Sequence, residues 1–130
     1  MTNAELSRLY HLNRDIERIQ ERIDELESAA ESVTASITGM PGGGTISDKV
    51  ASGAVEITAM KLRLGAAKLD ALAEQCRLTA YIEDIPDPLM RQIMHYRHVS
   101  GYGWEQVAAH IGGGMSGESC RKAHYRYLNP

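Results

Sequence analysis

A chain of 130 residues with 43% hydrophobic content holds one ordinary core, or a small core plus an elongated helical element, and excludes two full domains. Aromatic content of 5% with no Phe argues against a sheet sandwich, and the Leu, Ile, Ala, Glu and Arg of the first two-thirds suit long helices. The formal net charge of −3 hides an asymmetry: residues 1–85 carry 9 Lys+Arg against 14 Asp+Glu, residues 86–130 carry 5 against 3, and four of the five histidines lie in the second part, which makes it the candidate anion-binding end.

Thr2 and Glu5 have capping-box spacing and predict a helix start. From there Leu9, Leu12, Ile16, Ile19, Ile23, Leu26, Ala30, Val33 and Ile37 recur in alternating steps of three and four, with Arg14, Glu17, Arg18, Glu21, Arg22, Asp24 and Glu25 between them, which is a coiled-coil seam with a solvated charged face. Gly39, Pro41 and the glycines 42–44 predict a turn over residues 38–45. Ser47 is the expected cap of a second helix whose seam reads Val50, Gly53, Ile57, Met60, Leu64, Ala67, Ala71, Glu74, Leu78, Tyr81 and Ile85. Two matched seams joined by a short turn fold back most simply as an antiparallel hairpin over residues 1–85. Leu62, Leu69 and Leu72 lie off the second seam, so another face of that helix also needs cover, from a second copy or from the C-terminal domain, and a homo-oligomer, with a dimer favoured, is expected.

Ile85-Pro86-Asp87-Pro88 marks a boundary, with Asp87 as N-cap and Pro88 at the first position of a third helix. Residues 86–130 split into helices from Pro88 to about Ser100, Gly103 to about His110 and Ser116 to about Leu128, punctuated by Gly101 and the glycines 112–114. A tight turn between the last two is the layout of a helix-turn-helix. Leu89, Ile93, Met94, Trp104, Val107, Ala108, Ile111, Cys120, Ala123, His124, Tyr127 and Leu128 are its expected core. The opposite side of the last helix gathers Ser116, Glu118, Ser119, Arg121, Lys122, Tyr125 and Arg126, the candidate contacts to double-stranded DNA.

The run Arg91-Gln-Ile-Met-His-Tyr-Arg-His-Val-Ser-Gly-Tyr-Gly-Trp-Glu-Gln-Val-Ala-Ala-His-Ile-Gly112, and after it Ser116-Gly-Glu-Ser-Cys-Arg-Lys-Ala-His-Tyr-Arg-Tyr-Leu128, resembles region four of bacterial sigma factors, which reads the promoter −35 element with a helix-turn-helix. The resemblance covers residues 88–128. The whole chain, with its heptad hairpin and glycine-rich turn, is similar to small transcriptional regulators of Gram-positive phages and prophages. The resemblance implies that Glu118, Ser119 and Lys122 face bases while Arg121, Tyr125 and Arg126 lie on phosphates, and it admits RNA polymerase as a further partner. Here Gly103 stands where the family often has a Ser or Thr cap, the turn carries extra glycines, and Cys120 replaces the usual Val.

Other chemistries find less support in the residues. Cys120 and His124, four apart, and His95 and His98 suggest a zinc site only by residue type; as core residues Cys120 and His124 are better explained, and no metal or cofactor is expected. Neither glycine run ends in Gly-Lys-Ser/Thr after a buried strand, so neither is read as a phosphate loop. No nucleophile and base are set at a telling spacing, so no enzyme is expected. With no signal-like N-terminus and no apolar stretch of about 18 residues, the expectation is a cytoplasmic protein with reduced Cys76 and Cys120 and no membrane partner. The competing classes are a protein-interaction module acting on RNA polymerase and the DNA-recognition subunit of a phage packaging complex.

Overall fold

The computed structural model describes residues 1–38 and 44–130, with side chains for all of these except 33–38 and 44–51. Among the described residues the fold is all-α: α1 is Asn3–Thr38, α2 Gly44–Glu83, α3 Pro88–Met94, α4 Trp104–Ile111 and α5 Gly117–Leu128, with a π-helical turn His95–Val99 continuing α3. The heart of the 38–45 turn lies outside the described residues. Because α2 begins at Gly44, Ser47 lies inside it rather than capping it.

Two other helix starts act as the sequence indicates. The Thr2 amide donates to Glu5 Oε2 at 2.8 Å and the Glu5 amide donates to Thr2 Oγ1 at 3.1 Å, closing the capping box. Hydrogen bonding to Thr2 is also the leading reason the Glu5 carboxyl is held below the usual carboxylate range. Asp87 caps α3, its carboxylate accepting from the Leu89 amide at 3.4 Å and the Met90 amide at 3.3 Å, with Pro88 in the first helical position.

The chain forms two compact units, one of residues 15–71 and one of residues 1–14 with 72–130. In the 15–71 unit α1 and α2 run antiparallel: Lys68 donates to Gln20, and Lys61 Nζ lies 3.5 Å from a Glu27 carboxylate oxygen, two contacts one heptad apart. Ile19, Leu26 and Ala71 are buried between the helices, with Ile16, Ile23, Ile57 and Leu64 half-buried. As far as Ala30 the α1 seam is the one written in the sequence, while the side chains of Val33 and Ile37 lie outside those described. That of α2 differs, since Met60 and Ala67 are exposed and Lys61 and Lys68 take the places facing α1. Both choices satisfy alternating three- and four-residue steps, and it is the polar partners Gln20 and Glu27 on α1 that fit the two lysines.

The other unit contains the largest core. Leu6 and Leu9 of α1 and Leu78 and Ile82 of α2, together with Ile85, pack with Met90, Ile93, Met94, Val107, Ala108 and Cys120. Gln75 donates to the Asn13 side chain at 2.6 Å, and Arg77 joins Glu74 at 2.8 Å and Glu5 at 3.2 Å beside this core. The proline boundary at 86–88 therefore punctuates the chain without separating two cores. Leu89, expected inside, is 40% exposed, and Met90 takes the buried place because the Asp87 cap fixes which face of α3 turns inward. Tyr127 is likewise exposed.

Ile82 has no exposed surface, so Ile82→Ala is expected to cost about 2–5 kcal/mol through lost burial and the cavity left behind. Urea unfolding followed by the fluorescence of Trp104, on α4, reads that loss in the C-terminal helices themselves. A fragment of residues 86–130, deprived of Leu6, Leu9, Leu78, Ile82 and Ile85, is expected to show no cooperative unfolding transition by circular dichroism.

Candidate nucleic-acid interface

Three short helices create this face, and each is placed by an identifiable local device. The π-helical turn closes with the Ser100 amide donating to the His95 carbonyl at 3.1 Å and the Tyr102 amide to the Tyr96 carbonyl at 3.0 Å. Gly101 then adopts φ +74° with the Tyr10 ring packed so close that a Cβ would come within 2.6 Å of it. Only glycine accommodates both the backbone and that approach, and the contact fixes the first helical turns of α1 against the entrance to α4.

α4 begins after Gly103, whose amide donates to the Gln106 side chain at 3.1 Å, so the N3 half of a capping box persists without a hydroxyl at the cap. Gly112, Gly113 and Gly114 carry φ of +74°, +65° and +77°, three successive positive-φ residues that reverse the chain between α4 and α5. Ser116 caps α5, its hydroxyl accepting from the Ser119 amide at 3.1 Å. At that end of the helix Gly117 is buried under Glu105, whose backbone nitrogen lies 3.1 Å from where a Cβ would stand. The missing side chain lets the N-termini of α4 and α5 touch.

All seven candidate DNA contacts lie on or at the start of α5: Ser116, Glu118, Ser119, Arg121, Lys122, Tyr125 and Arg126 are exposed. Arg121, Lys122, Tyr125 and Arg126 line one shallow depression on that helix. Glu118 holds Arg121 in a two-pronged pair at 3.1 and 2.6 Å and lies 3.9 Å from Lys122, and the Arg121 bonds hold its carboxyl below the usual range. The carboxylate pre-sets the guanidinium while leaving Arg126 outside the pair. Ser116 differs from the rest, because its hydroxyl is already committed to the helix cap and to Ser119 Oγ at 2.9 Å.

Behind this face sits a pair that sequence spacing does not reveal. His98, from the π-helical turn, and His124, from α5, are 3% and 4% exposed, with their Nε2 atoms 2.8 Å apart. One ring must donate and the other accept. Burial pushes both imidazoles down to about 4, aided at His98 by His124 and at both by the Arg97 charge. The Trp104 ring meets His124 edge-on at 5.0 Å, and Arg97 lies over Trp104 at 4.4 Å while donating to the Tyr102 carbonyl at 3.0 Å. Trp104 is thus half-buried under a guanidinium rather than enclosed. Tyr102 stacks on His110 at 4.5 Å and on Tyr96 at 6.1 Å, completing an aromatic layer beside α4. Cys120 and His124 are both core residues, and burial raises the Cys120 thiol.

Comparison of the chain with protein-family models, curated proteins and solved structures finds no match.

Because folding lowers both histidine pKa values, the unfolded chain binds more protons between the ordinary value near 6.5 and the folded value near 4. Stability is therefore expected to be level above pH 6.5 and to fall as pH drops toward 4. Thermal unfolding between pH 7 and 5, above the carboxylate range, should show this slope, and His98→Gln should flatten it. At the α4–α5 contact, Gly117→Val forces the Glu105 backbone away, with an expected loss of about 1–3 kcal/mol in denaturant unfolding.

Proposed function

We propose that the protein is a sequence-specific DNA-binding transcriptional regulator of the kind carried by phages and prophages, reading DNA with α5 and working as a homo-oligomer through the helix pair. The observation that carries this reading is the exposed α5 surface on which Arg121, Lys122, Tyr125 and Arg126 converge, presented after the short glycine turn from α4. A single helix of this kind fits the major groove, where Lys122, Ser119 and Glu118 would meet base edges and Arg121, Tyr125 and Arg126 phosphates. The resemblance of residues 88–128 to sigma region four supports the same face. Cytoplasmic location follows from this role, and RNA polymerase is a natural second partner for a unit of that kind.

The face carries Arg121, Lys122 and Arg126 against Glu118, so each unit contributes few phosphate contacts and affinity depends on linking two of them. Binding to fragments of the protein's own genomic neighbourhood at two salt concentrations is expected to be sequence-selective and to weaken steeply with salt. Lys122→Ala/Arg126→Ala should abolish selective binding and, through the lost Arg126 phosphate contact, reduce the log–log salt slope by roughly 1 per unit. Folded, oligomeric protein that leaves every fragment unbound at low salt overturns the reading.

A further inference from the structure

α2 carries a second heptad seam on the side turned away from α1. Val55, Leu62, Leu69 and Cys76 recur every seven residues, with Ala59, Ala66, Ala73 and Ala80 alternating between them in steps of four and three, and all eight are exposed. Val55, Leu62 and Leu69 are 68%, 72% and 68% exposed, an apolar line too regular for scattered surface residues. At 100° per residue this line lies on nearly the opposite side of the helix from Ile57, Leu64 and Ala71, which face α1. The corresponding outer positions of α1 are charged, including Arg14, Glu17, Arg18, Glu21 and Glu25.

From this seam we infer that α2 pairs with α2 of a second copy of the chain, antiparallel, in the register that sets Ala66 against Leu69 of the second copy. The inference rests on the oligomeric reading under Proposed function and names its face, direction and register. In that register every layer sets an alanine against a larger side chain: Ala66 with Leu69, Ala73 with Leu62, Ala80 with Val55 and Ala59 with Cys76, each occurring twice by symmetry. A parallel pairing would set Leu against Leu and Ala against Ala, leaving alternate layers unfilled.

The flanking charges select the same register. Glu56, Arg63 and Asp70 border the seam on one side, all exposed, and none makes an ion pair or a side-chain hydrogen bond to a described residue. Antiparallel packing brings this flank against its own copy, with Arg63 opposite Asp70 twice and Glu56 opposite Arg77 twice. Sliding the helices by one heptad in either direction sets Arg63 against another arginine and an acid against an acid. Thr58, Gly65 and Leu72 on the other flank are uncharged, so a parallel dimer would have no charge pairs across the seam. Arg77 already holds Glu74 and Glu5, which makes Arg63 with Asp70 the deciding pair.

The test is sedimentation equilibrium on the full chain. Wild type is expected to be a dimer, and Leu62→Glu/Leu69→Glu, which alters only exposed side chains, a monomer with unchanged helicity. Arg63→Asp alone and Asp70→Arg alone should each weaken association by roughly tenfold or more, and the two together should restore it. Under mild oxidation Ala59→Cys should trap a covalent dimer through Cys76 of the second copy, while wild type, whose Cys76 side chains lie apart in this register, should not. A monomeric wild type, a dimer indifferent to Leu62→Glu/Leu69→Glu, no rescue by the double swap, or ready Cys76–Cys76 cross-linking in wild type would each overturn the inference. DNA titration of the same proteins separates it from the functional reading: a dimer with this mutational pattern that ignores DNA overturns only the function, and a monomer that binds DNA selectively overturns only the pairing.

Discussion

The C-terminal helices share a single apolar core with the ends of the helix pair. α3, α4 and α5 are 7, 8 and 12 residues long, and their buried contribution is Met90, Ile93, Met94, Val107, Ala108 and Cys120. Tyr96, Trp104, Ile111 and Leu128 add partly buried area, and a segment this short lies near the lower limit at which a core offsets its conformational entropy. Leu6, Leu9, Leu78 and Ile82 of the helix pair, with Ile85 just after it, supply the remainder. Tyr10 against Gly101 and Arg77 between Glu5 and Glu74 then seal the edges of the same contact. The exposed face of α5 is consequently held in place by residues from the opposite end of the chain. A change in Leu6 or Leu9 is a change in the scaffold of the candidate interface.

Within that scaffold the polar groups are arranged to leave α5 rigid and its outer face open. His98 and His124 satisfy each other inside the core, and no buried side-chain nitrogen or oxygen among the described residues is without a partner. Keeping both rings neutral costs their ordinary basicity, which is why burial drives them down together. Arg97 covers Trp104 from outside, so the cation sits at the surface next to α5 while its stem helps close the core. On the outer face Glu118 orders Arg121 and leaves Arg126 and Tyr125 projecting. The result is a small positive surface on which Glu118 orients one guanidinium, that of Arg121.

Signals confined to a few neighbouring residues were legible in the sequence, and those depending on distant contacts were not. The Thr2–Glu5 box, the Asp87-Pro88 start, the Ser116 cap and the glycine turn at 112–114 are each written in a handful of adjacent residues, and each does what its chemistry requires. The α1 seam was legible because its apolar stripe is narrow and its remaining positions are charged. α2 was not fully legible, since it is apolar on two sides and its inward positions at Lys61 and Lys68 are polar; both choices fit the spacing, and apolar character favours Met60 and Ala67. His98 and His124 stand 26 residues apart, so nothing local announces their meeting. The seven α5 residues were legible as one face from helical geometry, whereas the prior commitment of the Ser116 hydroxyl was visible only as a cap.

The two apolar sides of α2 pose a problem that one chain does not solve. A helix with a single partner needs one stripe, and α1, with its charged outer face, has only that. α2 places Val55, Leu62 and Leu69 on its second side, left in water by every described residue of its own chain. Retaining three large aliphatic side chains there, at heptad spacing and beside Glu56, Arg63 and Asp70 that no described residue pairs, is costly for solubility unless that side is covered. A self-complementary cover resolves the apolar and the ionic residues together, because one two-fold axis fills each Ala layer and pairs Arg63 with Asp70. The proposed DNA-binding role would make the same demand, because a face with only Arg121, Lys122 and Arg126 as cations would need a second copy to gain useful affinity.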